Sequence, residues 1–365
     1  MKGMKKIALL IGLGASALLS GQQQSLYTNY LLNNYAYNPA VAGARPYTQA
    51  NIYYRNQWVG FEDAPKTYLI SLYGPLKKAK GVALGGMVIS DKAGLITTNT
   101  GYLTFAYHVK VSKKLKFGMG LSGGLKQYTV RLYDVRAYDK GDQYLEGSST
   151  LNANVFDANA GLYLYGERFF LGLSSMNMLN NKITWKDPTG KLVPHYYAVM
   201  GYNIKLNKDF ALQPSVMYKY LPIPKNAGLG KKAEIGQLDY TLKLSYKNMV
   251  WIGGNYRTDD AVSCMVGVTV IKKLNIAYSY DYSLSAIKKY NVGSHEICLN
   301  YNFIKKKVVS AEDEELKIQD NSIKQSLKNK KPESGQKKPE ETKSDGQENK
   351  TQEPKKPEEA KPDKE

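Results

Sequence analysis

Leu274-Asn275-Ile276-Ala277-Tyr278-Ser279-Tyr280-Asp281-Tyr282 decides how this chain is read. Successive side chains of an extended strand point to opposite faces. Leu274, Ile276, Tyr278, Tyr280 and Tyr282 therefore share one face, and Asn275, Ala277, Ser279 and Asp281 the other. The alternation recurs along the chain. Leu238, Tyr240, Leu242, Leu244 and Tyr246 oppose Asp239, Thr241, Lys243 and Ser245, and Leu103, Phe105, Tyr107 and Val109 oppose Tyr102, Thr104, Ala106 and His108. A last segment sets Ile297, Leu299, Tyr301 and Phe303 against Glu296, Cys298, Asn300 and Asn302, and stops on an aromatic residue. One face is continuously apolar and the other small or polar. The class is all-β, although a soluble sandwich would show the same pattern.

The connections between these segments point to a membrane. Short turns are readable at Gly74 to Lys80, Ser112 to Lys114, Gly166-Glu167, Asn207-Lys208, Lys247-Asn248 and Lys272-Lys273. Between them lie long Gly- and charge-rich connections near 127–152, 177–194 and 220–236, with smaller ones near 59–66, 91–97, 258–260 and 283–292. Six turns and seven loops predict about 14 strands of roughly nine to twelve residues, the reach of a tilted strand across a bilayer. Alternating short turns and longer loops, with an even strand number, are the pattern of a transmembrane antiparallel β-barrel whose termini both lie in the periplasm. Pro214 is awkward inside a strand, so a bulge or strand end is expected there.

Composition agrees. The 365 residues include 30 Tyr, 8 Phe and 3 Trp, a tyrosine density suited to strands that meet both apolar and wet surroundings. Two Cys and three His leave no disulfide framework and little material for a metal site, and neither metal nor cofactor is expected. Lys2, Lys5 and Lys6, the apolar run Ile7 to Leu19 and Ser20-Gly21 read as a secretory signal over 1–21 rather than a buried helix. Residues 305–365 hold 16 Lys, 15 Asp+Glu and no aromatic residue, which predicts a disordered Lys/Pro/Glu-rich periplasmic tail. That leaves 32 basic and 17 acidic residues in 22–304. These bases are scattered among strands rather than gathered in a nucleic-acid-binding motif, so no nucleic-acid partner is expected. The organisation is thus 1–21 signal, 22–47 an N-terminal periplasmic or plug-like segment, 48–304 the barrel and 305–365 the tail.

Two stretches go beyond a generic barrel. Residues 30–43, Tyr-Leu-Leu-Asn-Asn-Tyr-Ala-Tyr-Asn-Pro-Ala-Val-Ala-Gly, are followed by Gln57-Trp58-Val59-Gly60-Phe61 and Ala64-Pro65-Lys66-Thr67. They resemble the opening of the PorP/SprF family of outer-membrane proteins associated with type IX secretion. The resemblance covers about 22–304 and extends to Gln213-Pro214-Ser215 and Asn300-Tyr301-Asn302-Phe303. It implies a noncatalytic barrel that binds, retains or helps export a secreted surface protein, often an adhesin engaged through its C-terminal region. It also implies secretion or gliding components in the periplasm or outer membrane as partners, besides membrane lipid. From the residues themselves, Asn38-Pro39 and Ala42-Gly43 favour turns that lay the N-terminal segment onto the first strand, and Trp58 suits a membrane interface. The alternative is that this segment and the loop from Gly60 to Thr67 build a plug or docking surface. Asn38, Pro39, Gly43, Trp58, Gly60, Pro65 and Thr67 are accordingly the candidate partner-binding residues.

Lys116, Lys126, Lys243 and Arg257 fall on the inner face by parity and predict a basic lumen, which a plain anion-preferring porin would share. Ser294 and His295 are adjacent and so face opposite ways, and His108 and His195 lack a Ser partner by spacing, which argues against a barrel lipase. Gly118, Gly120, Gly123 and Gly124 lie in an alternating strand, where they serve close approach rather than phosphate binding. Cys264 and Cys298 fall on opposite faces, and two free thiols are expected.

Overall fold

A computed structural model describes residues 26–132, 150–184, 190–222, 234–271 and 273–304. Residues 1–25, which include the stretch 1–21 read as a signal, the stretch 305–365, the centres of the three longest loops and residue 272 lie outside the described residues.

Fourteen strands form the wall. They are β1 Gln49–Asn56, β2 Lys66–Pro75, β3 Val82–Ala93, β4 Ile96–Lys110, β5 Leu115–Arg131, β6 Thr150–Gly166 and β7 Phe169–Met176, then β8 His195–Tyr202, β9 Phe210–Pro222, β10 Glu234–Tyr246, β11 Val250–Arg257, β12 Ala261–Val270, β13 Leu274–Ser283 and β14 Ser294–Asn302. Each is antiparallel to its neighbours in sequence. The sheet closes where β1 meets β14, from Gln49 opposite Asn302 to Asn56 opposite His295. Closure leaves no open edge for the bilayer to meet, which is what allows strands to cross it. The 14-stranded antiparallel barrel expected from the turns and loops is the one observed.

The apolar faces point outward. Leu103 is 77% exposed while Thr104 beside it is 4% exposed. Ile70, Leu121, Ile252 and Val266 continue this exposed belt around the wall. A soluble protein does not leave so continuous an apolar surface to water. Tyrosine serves both faces: the pairs Tyr196–Tyr220 and Tyr240–Tyr256 flank the belt outside, while Tyr37 and Tyr197 pack inside with ring centroids 5.0 Å apart.

The structure departs from the sequence reading in three places. The first is strand length, since β5 and β6 run 17 residues each and take in parts of the segment read as loop. Ala153 and Val155, on the inner face beside this extension, pack with Ile183 and Leu192 of the 177–194 loop in a small second core that Tyr128 joins. The second is Pro214, which makes no bulge. Its register with Leu242 on β10 is unbroken, but the ladder to β8 is interrupted between Gly201–Ser215 and Ile204–Leu212. The missing N–H weakens only the side on which it would have donated. The third concerns the N-terminal segment, which lies inside the barrel, as the plug alternative has it, rather than laid onto the first strand.

Both cysteines are free, Cys264 facing outward and Cys298 fully buried. Denatured protein should therefore take up two equivalents of maleimide without reductant, and folded protein in detergent one, at Cys264. Protection lifted only by reductant would overturn this.

Candidate functional site

From Leu26 to Ala42 the chain fills the barrel interior. Tyr27, Tyr30, Tyr35 and Tyr37 are almost wholly buried, as are Thr28, Asn29 and Asn33. Two short 3-10 turns, Asn34–Ala36 and Pro39–Val41, let so compact a segment satisfy much of its own backbone. Asn38 caps the second turn by accepting from the Ala40 N–H (2.9 Å), and its amide donates to the wall carbonyls of Leu162 (3.0 Å) and Leu173 (3.3 Å). The wall makes room with glycine. A Cβ at Gly161 would collide with Asn38 Oδ1, one at Gly120 with the Ala40 backbone, and one at Gly118 would lie 3.1 Å from the Ala40 carbonyl. Gly123 faces outward with open space around it. The inner-facing glycines are thus the seat of the plug.

The plug's first residues are held by charge. The Thr28 and Asn29 backbone N–H groups donate to the two oxygens of Glu296 (2.9 and 2.8 Å), and the Thr28 hydroxyl donates to the Asp281 carboxylate (2.8 Å). Arg55 bridges both acids, with Nη2 2.7 Å from Asp281 and Nη1 3.1 Å from Glu296. Arg257 completes the cluster, with Nε 2.9 Å from Asp239 and Nη1 3.2 Å from Asp260. These groups come from β1, β10, β11, β13 and β14 and from the β11–β12 turn, so the latch spans the closing seam of the barrel and the strands that precede it. Lower down, Tyr30 hydroxyl meets Ser215 Oγ (2.9 Å), Tyr35 hydroxyl meets Thr104 Oγ1 (2.6 Å), and Ser174 donates to the Tyr37 carbonyl (2.7 Å).

Asn38, Pro39 and Gly43, proposed from sequence as partner contacts, are therefore fixings of the plug. Gly43 adopts φ +85° against Ala83 and His108, a conformation and clearance that only glycine tolerates. Trp58, Gly60 and Pro65 lie instead in the β1–β2 loop at the loop end of the barrel. Gln57 N–H donates to Pro65 O (2.9 Å), Val59 N–H to Gly293 O (2.8 Å) and Trp58 N–H to Ser294 Oγ (3.0 Å). This zips the loop to the connection before β14. Trp58 and Asp63 are held at φ +53° and +54°, a strain that non-glycine residues adopt only where surroundings impose it. Thr67 is buried and hydrogen-bonds Asp91.

The inner-face bases do not form one open basic lumen. Arg257 is neutralised as described, and Lys126 lies 2.5 Å from Asn177 Oδ1 and 3.7 Å from Asp157. Lys243 sits over the Trp251 ring and Lys116 over the Tyr165 ring, towards the short-turn mouth. Parity placed all four on the inner face. It could not supply their partners, which depend on register around the barrel.

Each histidine has a structural role. His108 Nε2 bonds the Ala42 carbonyl (2.6 Å) and its Nδ1 the Tyr165 hydroxyl (3.0 Å), His195 Nδ1 bonds the Val193 carbonyl (2.9 Å), and His295 Nδ1 meets the Tyr278 hydroxyl (2.7 Å).

A family model described as type IX secretion system membrane protein PorP/SprF matches residues 19–301. No curated protein matches the chain. Among solved structures, a CymD monoaromatic hydrocarbon channel is 11% identical, with 77% of this chain and 94% of that chain covered and a TM-score of 0.45. A Pseudomonas aeruginosa FadL homologue is 12% identical over 73% and 93% with a TM-score of 0.41, and a KdgM porin 11% over 70% and 99% with a TM-score of 0.34.

Proposed function

The chain belongs to the PorP/SprF family of type IX secretion system membrane proteins, and from that premise we propose that it is a noncatalytic outer-membrane barrel that holds or helps display a secreted surface protein. An adhesin engaged through its C-terminal region is the occupant this reading expects, and other secretion or gliding components are its neighbours. The support is the filled interior: a general porin needs a continuous aqueous lumen, whereas here the inner wall is shaped to the chain's own segment and bonded to it. Binding surface is then available at the rims. The loop-end rim, with Trp58, Gly60 and Pro65 on a loop zipped to its neighbour, offers a platform ordered before the partner arrives. In this reading the short turns face the periplasm.

Deleting the gene and comparing surface and medium proteomes tests the proposal. Loss of one or a few large surface proteins from the cell, together with their co-purification with the tagged barrel, is the expected result. Unchanged display, no stable partner and an anion current through wild-type protein in planar bilayers would replace the reading with a porin.

A further inference from the structure

The two ends of the barrel differ in charge. The six short turns at one end are Leu76–Gly81, Val111–Lys114, Glu167–Arg168, Leu206–Asp209, Lys247–Met249 and 271–273. Their described residues include three bases in the first turn, two in the second and one in each of the others, nine against the two acids Glu167 and Asp209. The described residues of the loops at the other end hold four of each: Lys182, Lys191, Lys288 and Lys289 against Glu62, Asp63, Asp259 and Asp260. Lys78, Lys113, Lys114, Lys208 and Lys247 are exposed, and none forms an ion pair with a described residue.

A second feature accompanies the charge. Five of the six turns carry a large exposed apolar side chain beside their lysines: Leu76, Val111, Leu206, Met249 and Ile271. Turn tips in water favour Gly, Asn, Asp and Ser, and isoleucine 71% exposed at a turn tip is out of place there. At a bilayer surface the pairing is favourable, because the apolar group enters the acyl boundary while the lysine stem carries its ammonium to phosphate depth. Turns of two to six residues are also too short to carry their lysines far beyond the headgroups.

We infer that the short-turn rim is a binding collar for anionic phospholipid headgroups, phosphatidylglycerol and its relatives, in the leaflet those turns meet. The inference rests on the membrane barrel and not on any secreted partner, so it stands or falls separately from the display function. An acidic protein would complement the charge equally, but it would leave five apolar turn residues unexplained. The collar would fix the depth and tilt of the barrel through one leaflet while leaving the other end free.

Full-length protein reconstituted in phosphatidylcholine vesicles, probed with spin-labelled phosphatidylglycerol or spin-labelled phosphatidylcholine, tests this. The anionic probe should be motionally restricted with roughly fivefold or greater preference, and the preference should fall towards unity at about 1 M salt, where screening reaches ~3 Å. The variant K78Q/K113Q/K114Q/K208Q/K247Q should lose most of the preference and the loop-end variant K182Q/K288Q/K289Q should keep it, with heat-modifiable gel mobility reporting folding. Equal restriction of both probes by wild-type protein would overturn the collar, as would equal loss in both variants. The salt titration needs no variant and decides the matter if the five-site protein does not fold. Retention of a polyglutamate peptide without lipid preference would assign the rim to an acidic polypeptide and also overturn the inference.

Discussion

Gly161→Val should unseat the plug and open the barrel to ions, whereas Gly101→Val should change nothing. Both glycines lie in strands of the wall, and the contrast between them is one of direction. Gly161 faces inward, where a Cβ would collide with Asn38 Oδ1 and lie 3.1 Å from Pro39 Cδ. Gly101 faces the bilayer with nothing within 4 Å of an added Cβ. Overpacking costs about 1–3 kcal/mol, and displacing Asn38 forfeits its bonds to Leu162, Leu173 and Ala40 at about 1 kcal/mol each. The wall's own ladder through Gly161 involves backbone groups only, so the barrel itself should remain folded. Current across a planar bilayer should rise from background to a steady open level with Gly161→Val, and chymotrypsin should cut after Tyr27, Tyr30 or Tyr35 faster than in wild type. A silent Gly161→Val with wild-type proteolysis would mean that the 26–44 segment is not held by this seat.

The contrast between those glycines shows what periodicity could and could not convey. Period-2 alternation supplied the faces: Asp281 and Glu296 on the polar side, Cys264 and Cys298 on opposite sides, and Lys126 and Arg257 on the inner wall. It supplied no partners. Glu296 lies in β14 and Arg55 in β1, 241 residues apart, and they meet only because the first and last strands pair in a particular register. The plug was harder still. Residues 26–44 have no strand or helix period, their two 3-10 turns are three residues each, and what shapes them is the wall they touch. Asn38-Pro39 was recognisable as a turn, yet a turn at an open mouth and one inside a barrel have the same local chemistry. The compensating signal was on the wall: Gly118, Gly120 and Gly161 stand together on the inner face beside Ala106 and Ser122, and such a patch of small inner residues implies that something else occupies the space.

The ion cluster carries the other large effect. Arg55→Met should lower the unfolding free energy of the barrel in detergent by about 3–5 kcal/mol, because Asp281 and Glu296 would stay buried with one of their cations removed. The cost comes less from lost attraction than from the stranded carboxylates. Two further replacements separate those causes. In the triple variant R55M/D281N/E296Q no charge is stranded, and much of the lost stability should return, although the single amide oxygen of E296Q replaces the two carboxylate oxygens that accept from the Thr28 and Asn29 N–H groups. Arg257 should prevent full recovery, because it lies 4.0 Å from Asp281 and loses that contribution. Urea midpoints of the three proteins, with the native and unfolded bands resolved on gels, measure the series. If the triple variant were no more stable than Arg55→Met, stranded charge would not be the cause. The cluster would then act through geometry, as the clasp that fixes Thr28 and Asn29 to the seam between β1 and β14.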